Sequence, residues 1–330
     1  MFTLLNEVSI EIIRKCPNNC VHCSSLSNQQ CIEKIDYNHF VLIVNDAVKL
    51  GTRTICLSGG EPFLHDRIVD MILYISSIGL QSYVYTSGIV FDIDDQRTSL
   101  NRDVLEAISK NVTKLIFNVE ASKPSTYDKI MGTTGCFDKM KQSIYDANSF
   151  SITTEAHFVP MKLNISEVKD VVSLCKELNV SKLSFLRLVL HGRALMNESE
   201  IALSSKELDR FKKELTELKN TSEIGIRIGV PLAIGISHHK CEAADGKLNI
   251  KYDGNVFPCE IFKNNCISHS LRGTRPESIH DKSLFDIYNN SAYLQLVREL
   301  SQKFSSCDGY CETCMGQYLI NIKEPDYHDK

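Results

Sequence analysis

The chain has 330 residues, of which 37 are basic and 41 acidic, giving a net charge of −4. This length provides for one large domain and one small domain with apolar cores. The balanced charge contains no basic block that would indicate nucleic-acid binding. The N-terminus reaches charged residues too early for a signal peptide, and no apolar run has membrane-spanning length. We therefore expect a cytoplasmic protein whose 13 cysteines serve metal binding, catalysis or packing rather than disulfides.

Short β-branched segments alternate with amphipathic segments over most of the chain. The predicted strands cover residues 8–13, 54–58, 82–87, 114–120, 153–160 and 182–190. The predicted helices cover residues 37–51, 66–79, 101–110, 136–149, 165–178 and 204–219, the last beginning with a capping box from Ser204 to Glu207. Six strand–helix units predict an α/β fold with a parallel sheet, either open or curled into part of a barrel. Such folds carry their chemistry at the carboxyl ends of the strands.

The alternation ends near residue 221, where short strand-like runs, turns and cysteines follow. We predict two domains, 1–225 and 226–330, the second one small and of the α+β type. Six of the 13 cysteines fall in the second domain. This concentration predicts a domain built around bound metal.

Three cysteines follow directly after the first predicted strand: Cys16, Cys20 and Cys23, in RKCPNNCVHCSS. Their position places them at the functional edge of the sheet. A structural zinc site normally has four protein ligands, so a zinc knuckle here would need a distant fourth cysteine. Three thiolates suit a cubane iron–sulfur cluster, in which the fourth iron remains open to a substrate or cofactor.

The segment SGGEP, residues 58–62, comes directly after the second predicted strand. Gly59 and Gly60 permit close approach of the backbone to a ligand, and Glu61 can accept a hydrogen bond from an ammonium group. Alone, this pentapeptide is an ordinary strand-to-helix turn. Here the pentapeptide follows a three-cysteine loop by one strand–helix unit, and in that position it is a much more specific signal.

Together the two motifs resemble the radical S-adenosylmethionine (SAM) superfamily: Cys16-x3-Cys20-x2-Cys23 after strand one, and Gly59-Gly60-Glu61-Pro62 after strand two. The resemblance covers about residues 7–195 and implies a partial (β/α)6 TIM-like barrel. It implies that the three cysteines hold a 4Fe–4S cluster whose open iron binds the amino and carboxylate groups of SAM. One electron from the cluster would cleave SAM to methionine and a 5′-deoxyadenosyl radical, which abstracts a hydrogen atom from the substrate.

The resemblance also implies a set of side chains that contact SAM. His22 would pack on the adenine, the Gly-Gly-Glu segment would hold the methionyl amino group, and the other polar residues would reach the carboxylate or the ribose. The implied residues are His22, Gly59, Gly60, Glu61, Pro62, Ser87, Asn118, Glu120, Arg187 and Arg193. For the polar members a purely structural role is the alternative hypothesis.

The cysteines of the second domain form a separate pattern. Cys241 and Cys259 are on either side of a YDGN turn that contains Gly254, so we expect them on adjacent strands of one hairpin. With a later Cys-x2-Cys pair they make a tetrahedral set that would suit zinc by ligand count. The spacing resembles the twitch domain, a shortened SPASM domain, and implies an auxiliary 4Fe–4S cluster. Its implied ligands are Cys241, Cys259, Cys311 and Cys314, with Cys307 as a possible replacement for one of them.

An auxiliary cluster beside the substrate suits net oxidation. The resemblance therefore implies a radical SAM oxidoreductase served by an external one-electron reductant of the flavodoxin or ferredoxin type. We favour maturation of a ribosomally made peptide, although no leader-binding domain is expected ahead of a first strand that begins near residue 7. A small-molecule dehydrogenase or epimerase of the aminocyclitol or sugar type is the alternative, and a zinc-stabilised binding protein is the third hypothesis. The sequence identifies no catalytic acid, base or hydrogen donor.

Overall fold

The structure, a computed structural model, describes residues 4–234, 241–263, 271, 273–305 and 314–316. Its strands are β1 (Glu7–Ile13), β2 (Thr54–Gly59), β3 (Gln81–Thr86), β4 (Ile89–Phe91), β5 (Arg97–Ser99), β6 (Lys114–Asn118), β7 (Thr154–Phe158), β8 (Lys182–Phe185), β9 (Gly225–Ile228), β10 (Lys247–Ile250) and β11 (Val256–Phe257). Within these ranges, nine strands form one sheet in the order β11-β10-β1-β2-β3-β6-β7-β8-β9, and β4 and β5 form a separate hairpin. Neighbouring strands of the large sheet are parallel except for β10 and β11.

Helices connect the successive parallel strands from β1 to β9, and two more helices follow β11. They are α1 (Tyr37–Lys49), α2 (Ile68–Ser77), α3 (Arg102–Ile108), α4 (Pro124–Met131), α5 (Phe137–Ser149), α6 (Val168–Glu177), α7 (Arg193–Met196), α8 (Glu198–Ile201), α9 (Ser205–Thr221), α10 (Leu284–Asn290) and α11 (Ala292–Ser305). The predicted capping box of Ser204 and Glu207 is confirmed at the start of α9. Of the helices in the described ranges, none combines the length and the apolar character needed to cross a lipid bilayer.

Each barrel strand has one apolar and one polar face, because successive side chains point to opposite sides of a strand. On β1, Val8, Ile10 and Ile12 are fully buried in the main hydrophobic core, to which the helices also contribute. The residues between them, Ser9 and Glu11, line a cavity on the other face. The apolar face therefore holds the helices on the sheet, and the polar face surrounds the space at the centre of the partial barrel.

The C-terminal part of the chain extends the barrel sheet. β10 pairs in parallel with β1, with Glu7 opposite Lys247 and Ile10 opposite Ile250. At the other edge, β9 pairs in parallel with β8. The domain boundary predicted between 225 and 226 therefore falls within β9, and its placement stays a prediction.

The predicted strand–helix units are confirmed, with differences at their ends and with short additional elements, namely α4, α7, α8, α10 and the β4–β5 hairpin. The strand predicted over 182–190 ends at Phe185, and the chain then leaves the sheet. Helix α4 is not predicted, because it is short, begins with Pro124 and buries only Tyr127, Ile130 and Met131. The β4–β5 hairpin is also missed, because its strands have three residues each and those of β5 are only partly buried.

Candidate active site

The loop after β1 brings its three cysteines to the wall of the central cavity. Cys16 is buried and Cys20 and Cys23 are partly buried, and all three line this cavity of about 780 Å³. Burial is the main cause that raises the pKa of the Cys16 and Cys20 thiols, and the neighbouring cysteines raise it further. The three sulfurs are therefore close enough to influence one another. Binding of a metal would replace their protons and relieve the cost of burying thiolates.

Helix α4 supports this loop from the side. The backbone N–H of Asn19 donates to the carbonyl of Met131 at 3.0 Å, and that of Val21 donates to the carbonyl of Ile130 at 2.9 Å. Both acceptors are at the C-terminal end of α4, where helix carbonyls lack partners within the helix. An element that the sequence pattern did not predict therefore fixes the middle of the cysteine loop.

The two glycines of the SGGEP segment pack against the backbone at the end of β1 and the start of the cysteine loop. Gly60 N–H donates to the carbonyl of Ile13 at 2.6 Å. A Cβ atom on Gly60 would lie 2.1 Å from the carbonyl oxygen of Lys15, and one on Gly59 would lie 2.1 Å from that of Ile13. Both glycines also line the cavity. The close backbone approach is thus made to the chain itself, and a contact with the amino group of SAM stays a prediction.

The carboxylate of Glu61 is buried, and both of its oxygens accept hydrogen bonds from neighbouring residues. It accepts hydrogen bonds from Thr86 Oγ1 at 2.7 Å, from Ser87 N at 2.8 Å and from Ser87 Oγ at 2.6 Å. Burial raises the pKa of Glu61, and these hydrogen bonds oppose the rise. In the structure the carboxylate ties the SGGEP segment to the end of β3, so any contact with SAM would come from the backbone of Glu61. Ser87 lines the cavity, and Pro62 is buried at the start of a short 3-10 helix.

His22, Asn118 and Glu120 meet at one side of the cavity. His22 and Asn118 line it, whereas the carboxylate of Glu120 is fully buried behind them. Glu120 accepts from Val159 N at 2.9 Å and from Asn118 Nδ2 at 3.3 Å, and its Oε1 lies 3.6 Å from Nε2 of His22. Burial lowers the pKa of His22 to about 4, with the charge of Arg193 as a smaller cause, and burial raises the pKa of Glu120 to about 7. The structure thus places His22 and Asn118 on the cavity wall with Glu120 behind them, and their contact with SAM stays a prediction.

Replacing Glu120 by glutamine should make the stability of the protein less dependent on pH. The pKa of Glu120 is about 7 in the folded chain, so the fold favours the protonated acid. The stability contributed by this proton is complete below the unfolded pKa of about 4.3 and is lost as pH rises through 7, a difference of about 4 kcal/mol at most. The wild-type thermal midpoint, followed by circular dichroism under argon, should fall more between pH 5 and pH 8 than that of Glu120→Gln. An equal fall in both proteins would contradict the buried protonated state.

The two predicted arginines occupy different environments. Arg187 lines the cavity and forms no hydrogen bond or ion pair with any residue in the described ranges. Burial lowers the pKa of Arg187, and the nearby Cys314 thiol opposes this effect. Arg193 instead donates from Nε to the carbonyl of Cys20 and from Nη2 to that of Ser27, both at 2.7 Å. Arg187 is therefore available for an anionic group in the cavity, whereas two donors of Arg193 are used by the cysteine loop.

Three of the four predicted auxiliary ligands are in the described part of the chain, and they line the same cavity as the first three cysteines. Burial is the main cause that raises the pKa of Cys241 and Cys259, and the Cys314 thiol raises both further. The three sulfurs therefore converge on one wall. Cys311 and Cys307 lie outside the described residues.

The hairpin predicted between the first two auxiliary cysteines is confirmed, but the cysteines lie just outside its strands. β10 and β11 pair antiparallel, and Gly254 takes a φ of +81° in the connecting turn. Cys241 precedes β10 and Cys259 follows β11. A backbone hydrogen bond of 3.0 Å from Ala244 N to the carbonyl of Pro258 brings the two flanking segments together.

The three cysteines of the first loop fit an iron–sulfur cluster better than a single ion. Among the residues that the structure describes, no three Cys, His, Asp or Glu side chains are close enough to share one ion. The thiolates of a cubane cluster bind different irons, so they stand farther apart than the ligands of one ion. The first set also provides three thiols and no fourth, as a cluster with one open iron requires.

Comparison with known families identifies the class of enzyme. The Radical SAM superfamily matches residues 10–191, and an iron–sulfur cluster-binding domain of the SPASM type matches residues 241–315. The chain belongs to the radical SAM superfamily. Its cofactors are SAM and 4Fe–4S clusters, and the predicted partial barrel with a C-terminal iron–sulfur domain is confirmed.

Similar proteins cover nearly the whole chain. PqqA peptide cyclase of Ruegeria pomeroyi is 25% identical over 320 residues, which are 94% of this chain and 79% of that protein. PqqA peptide cyclase of Rhizobium meliloti is 22% identical over 311 residues, which are 90% of this chain and 80% of that protein. Streptococcus suis SuiB bound to S-adenosylmethionine matches with a TM-score of 0.76 at 16% identity, over 98% of this chain and 75% of SuiB. Native anSMEcpe with bound AdoMet matches with a TM-score of 0.66 at 14% identity, over 92% of this chain and 87% of anSMEcpe.

Sequence reasoning missed a buried ion pair between the two cysteine sets. Lys263 Nζ donates to Glu11 Oε1 at 2.5 Å, and Ser25 Oγ donates to the same oxygen at 2.7 Å. The side chains of Lys263 and Glu11 are only 10% and 3% exposed. Ser25 follows Cys23 in the loop, and Lys263 follows Cys259 in the second domain. The available signal was a charged residue, Glu11, in the apolar strand VSIEII.

Proposed function

We propose that this protein is a radical SAM oxidoreductase that modifies a ribosomally made peptide. The observation that supports oxidation best is that the two cysteine sets open onto one cavity. A substrate in that cavity would lie between the SAM-binding cluster and a second redox group. This arrangement suits removal of a hydrogen atom followed by loss of an electron from the same substrate.

The peptide part of the proposal is supported by the similar proteins. The relatives from Ruegeria pomeroyi and Rhizobium meliloti are both PqqA peptide cyclases. SuiB has been solved bound to the precursor peptide SuiA, and that structure matches this chain with a TM-score of 0.74. A peptide substrate for this chain agrees with both similarities.

The cavity that both cysteine sets line also carries polar side chains that would bind the substrate. Tyr85, His157 and Arg227 line it, and the rings of Tyr85 and His157 lie 5.3 Å apart. Burial lowers the pKa of His157 to about 3, with the charge of Arg227 as a smaller cause. His157 is therefore neutral near pH 7 and can donate one hydrogen bond and accept another. Arg227 provides a cation for a carboxylate or carbonyl group.

The cofactors supply the reactive species, and the chain supplies its placement. When bound, SAM and its cluster provide a 5′-deoxyadenosyl radical that removes a hydrogen atom from the substrate. An external one-electron donor of the flavodoxin or ferredoxin type would reduce the cluster. Lys263 and Ser25 both donate to the carboxylate of Glu11, and these bonds connect the second domain to the first cysteine loop. They would therefore fix the distance between the two cysteine sets, and with it the distance that an electron from the substrate travels.

Removing auxiliary cysteines should separate SAM cleavage from product formation. We expect Cys259→Ala with Cys314→Ala to keep forming 5′-deoxyadenosine with dithionite, because neither residue belongs to the first cysteine loop. Oxidised peptide, detected by mass spectrometry as loss of two hydrogen atoms, should fall below detection. The substrates to test are short peptides encoded beside the gene for this protein.

Circular dichroism and SAM binding must show an intact barrel in the double variant, since metal ligation can contribute folding free energy. Cys175→Ala, in the core on α6, is the matched control for loss of a cysteine and should keep full product formation. A normal product yield from the double variant would contradict the electron-acceptor role. Oxidation of a small alcohol but of no peptide would instead support the small-molecule hypothesis.

A further inference from the structure

The side chain and backbone of Arg193 together bind three carbonyls of the first cysteine loop. Nε donates to the carbonyl of Cys20 and Nη2 to that of Ser27, both at 2.7 Å. The backbone N–H of Arg193 donates to the carbonyl of Cys23 at 3.0 Å. One residue therefore holds the carbonyls of two of the three cysteines and the end of the loop.

The segment that carries Arg193 is itself firmly placed after β8. Ala194 and Ile201 are buried in a small apolar cluster that also contains Ile130. Asn197, at the start of α8, donates from Nδ2 to the carbonyl of Val21 at 2.9 Å. The loop is thus held by a packed segment about 170 residues away in sequence, not by its own turns alone.

The guanidinium of Arg193 also places an unneutralised positive charge at the loop. It forms no ion pair with a carboxylate in any of the described ranges. Its Nε lies 2.7 Å from the carbonyl oxygen of Cys20, so the charge lies beside a residue of the first cysteine set. Arg193 is partly buried, and a partly buried cation without a carboxylate partner favours an anion beside it.

We propose that Arg193 is a positioning residue for the SAM-binding cluster: it fixes the loop carbonyls, and its charge raises the reduction potential of the cluster. Reduction adds one electron to the oxidised cluster and makes it more negative by one charge. A cation nearby stabilises the reduced form more than the oxidised form. This role differs from the contact with the SAM carboxylate that the resemblance implies, and it does not depend on the identity of the substrate.

Two substitutions of Arg193 separate its charge from its hydrogen bonds. Arg193→Lys keeps the charge but loses the two-pronged donor set, and Arg193→Gln loses the charge. The full-length protein, reconstituted without oxygen, would be titrated with dithionite and followed by electron paramagnetic resonance in the absence of SAM. We expect a more negative midpoint potential in Arg193→Gln than in Arg193→Lys, and a broadened signal in both. Equal potentials in the two variants would overturn the electrostatic role.

A second pair tests the same charge effect without changing Arg193. Asn197→Ala and Asn197→Asp both lose the hydrogen bond to Val21, but only Asn197→Asp adds a negative charge beside the loop. We expect a more negative potential in Asn197→Asp than in Asn197→Ala. This pair decides the question if Arg193→Gln binds too little iron to titrate, and equal potentials in it would also overturn the proposal. If only SAM affinity falls in Arg193→Gln while potential and signal match the wild type, the carboxylate contact replaces the positioning role.

Discussion

Replacing Cys16, Cys20 and Cys23 together by alanine should remove about half of the bound iron and all SAM cleavage. Two 4Fe–4S clusters correspond to about eight irons per chain, so about four should remain. Alanine offers no ligand, and no other thiol among the described residues of this loop faces the cavity in their place. Iron would be measured colorimetrically after reconstitution without oxygen, and 5′-deoxyadenosine by chromatography.

The control for this variant is Cys175→Ala, whose thiol is fully buried in the core and away from both cysteine sets. It should retain about eight irons and normal cleavage. Circular dichroism must show that the triple variant is folded. A wild-type protein with about four irons and one tightly bound zinc would contradict the auxiliary cluster and support the zinc hypothesis for the second domain.

The barrel could be predicted because its signals are local. Strands such as β1 and helices such as α1 have strong hydrophobic periodicity, and Ser204 begins α9 with a capping box that is visible in the sequence. The pairing of β10 with β1 could not be predicted, because it joins residues that are about 240 positions apart and depends on the whole sheet. Helix α4 was missed because it has eight residues, and its three buried residues have helical spacing over little more than one turn.

In the candidate site, too, the local features could be predicted from the sequence and the long-range contacts could not. The cysteines and glycines were found from short motifs whose spacing is local, and the structure brings all the described members to one cavity. The orientation of the polar side chains was not predictable, because their partners come from other elements. Glu61 binds the end of β3, and Arg193 binds the first cysteine loop. The motifs therefore identified residues that line one cavity, but not which of their atoms remain free for a ligand.

The second large effect is expected from Gly60→Ala, which should displace the cysteine loop. The added Cβ would lie 2.1 Å from the carbonyl oxygen of Lys15 and 2.4 Å from that of Arg14. These are backbone atoms, so they cannot move aside as the end of a flexible side chain can. The shift would also weaken the 2.6 Å hydrogen bond from Gly60 N to the carbonyl of Ile13. We expect a loss of about 3 kcal/mol in the free energy of unfolding, and of the iron bound by the first loop.

Gly246→Ala is the matched control, because neither glycine has a positive φ and the nearest atom to a Cβ at Gly246 is the Glu242 Cβ at 3.4 Å. It should change the free energy of unfolding by about 0.5 kcal/mol or less and leave the iron content unchanged. Denaturant unfolding and iron analysis would be compared in both variants. Loss of iron in Gly60→Ala would support the packing of Gly60 against the loop, because the cluster ligands move with the loop. Full iron content with weakened SAM binding would instead contradict the packing argument and support the direct approach of SAM that the Gly-Gly-Glu motif implies.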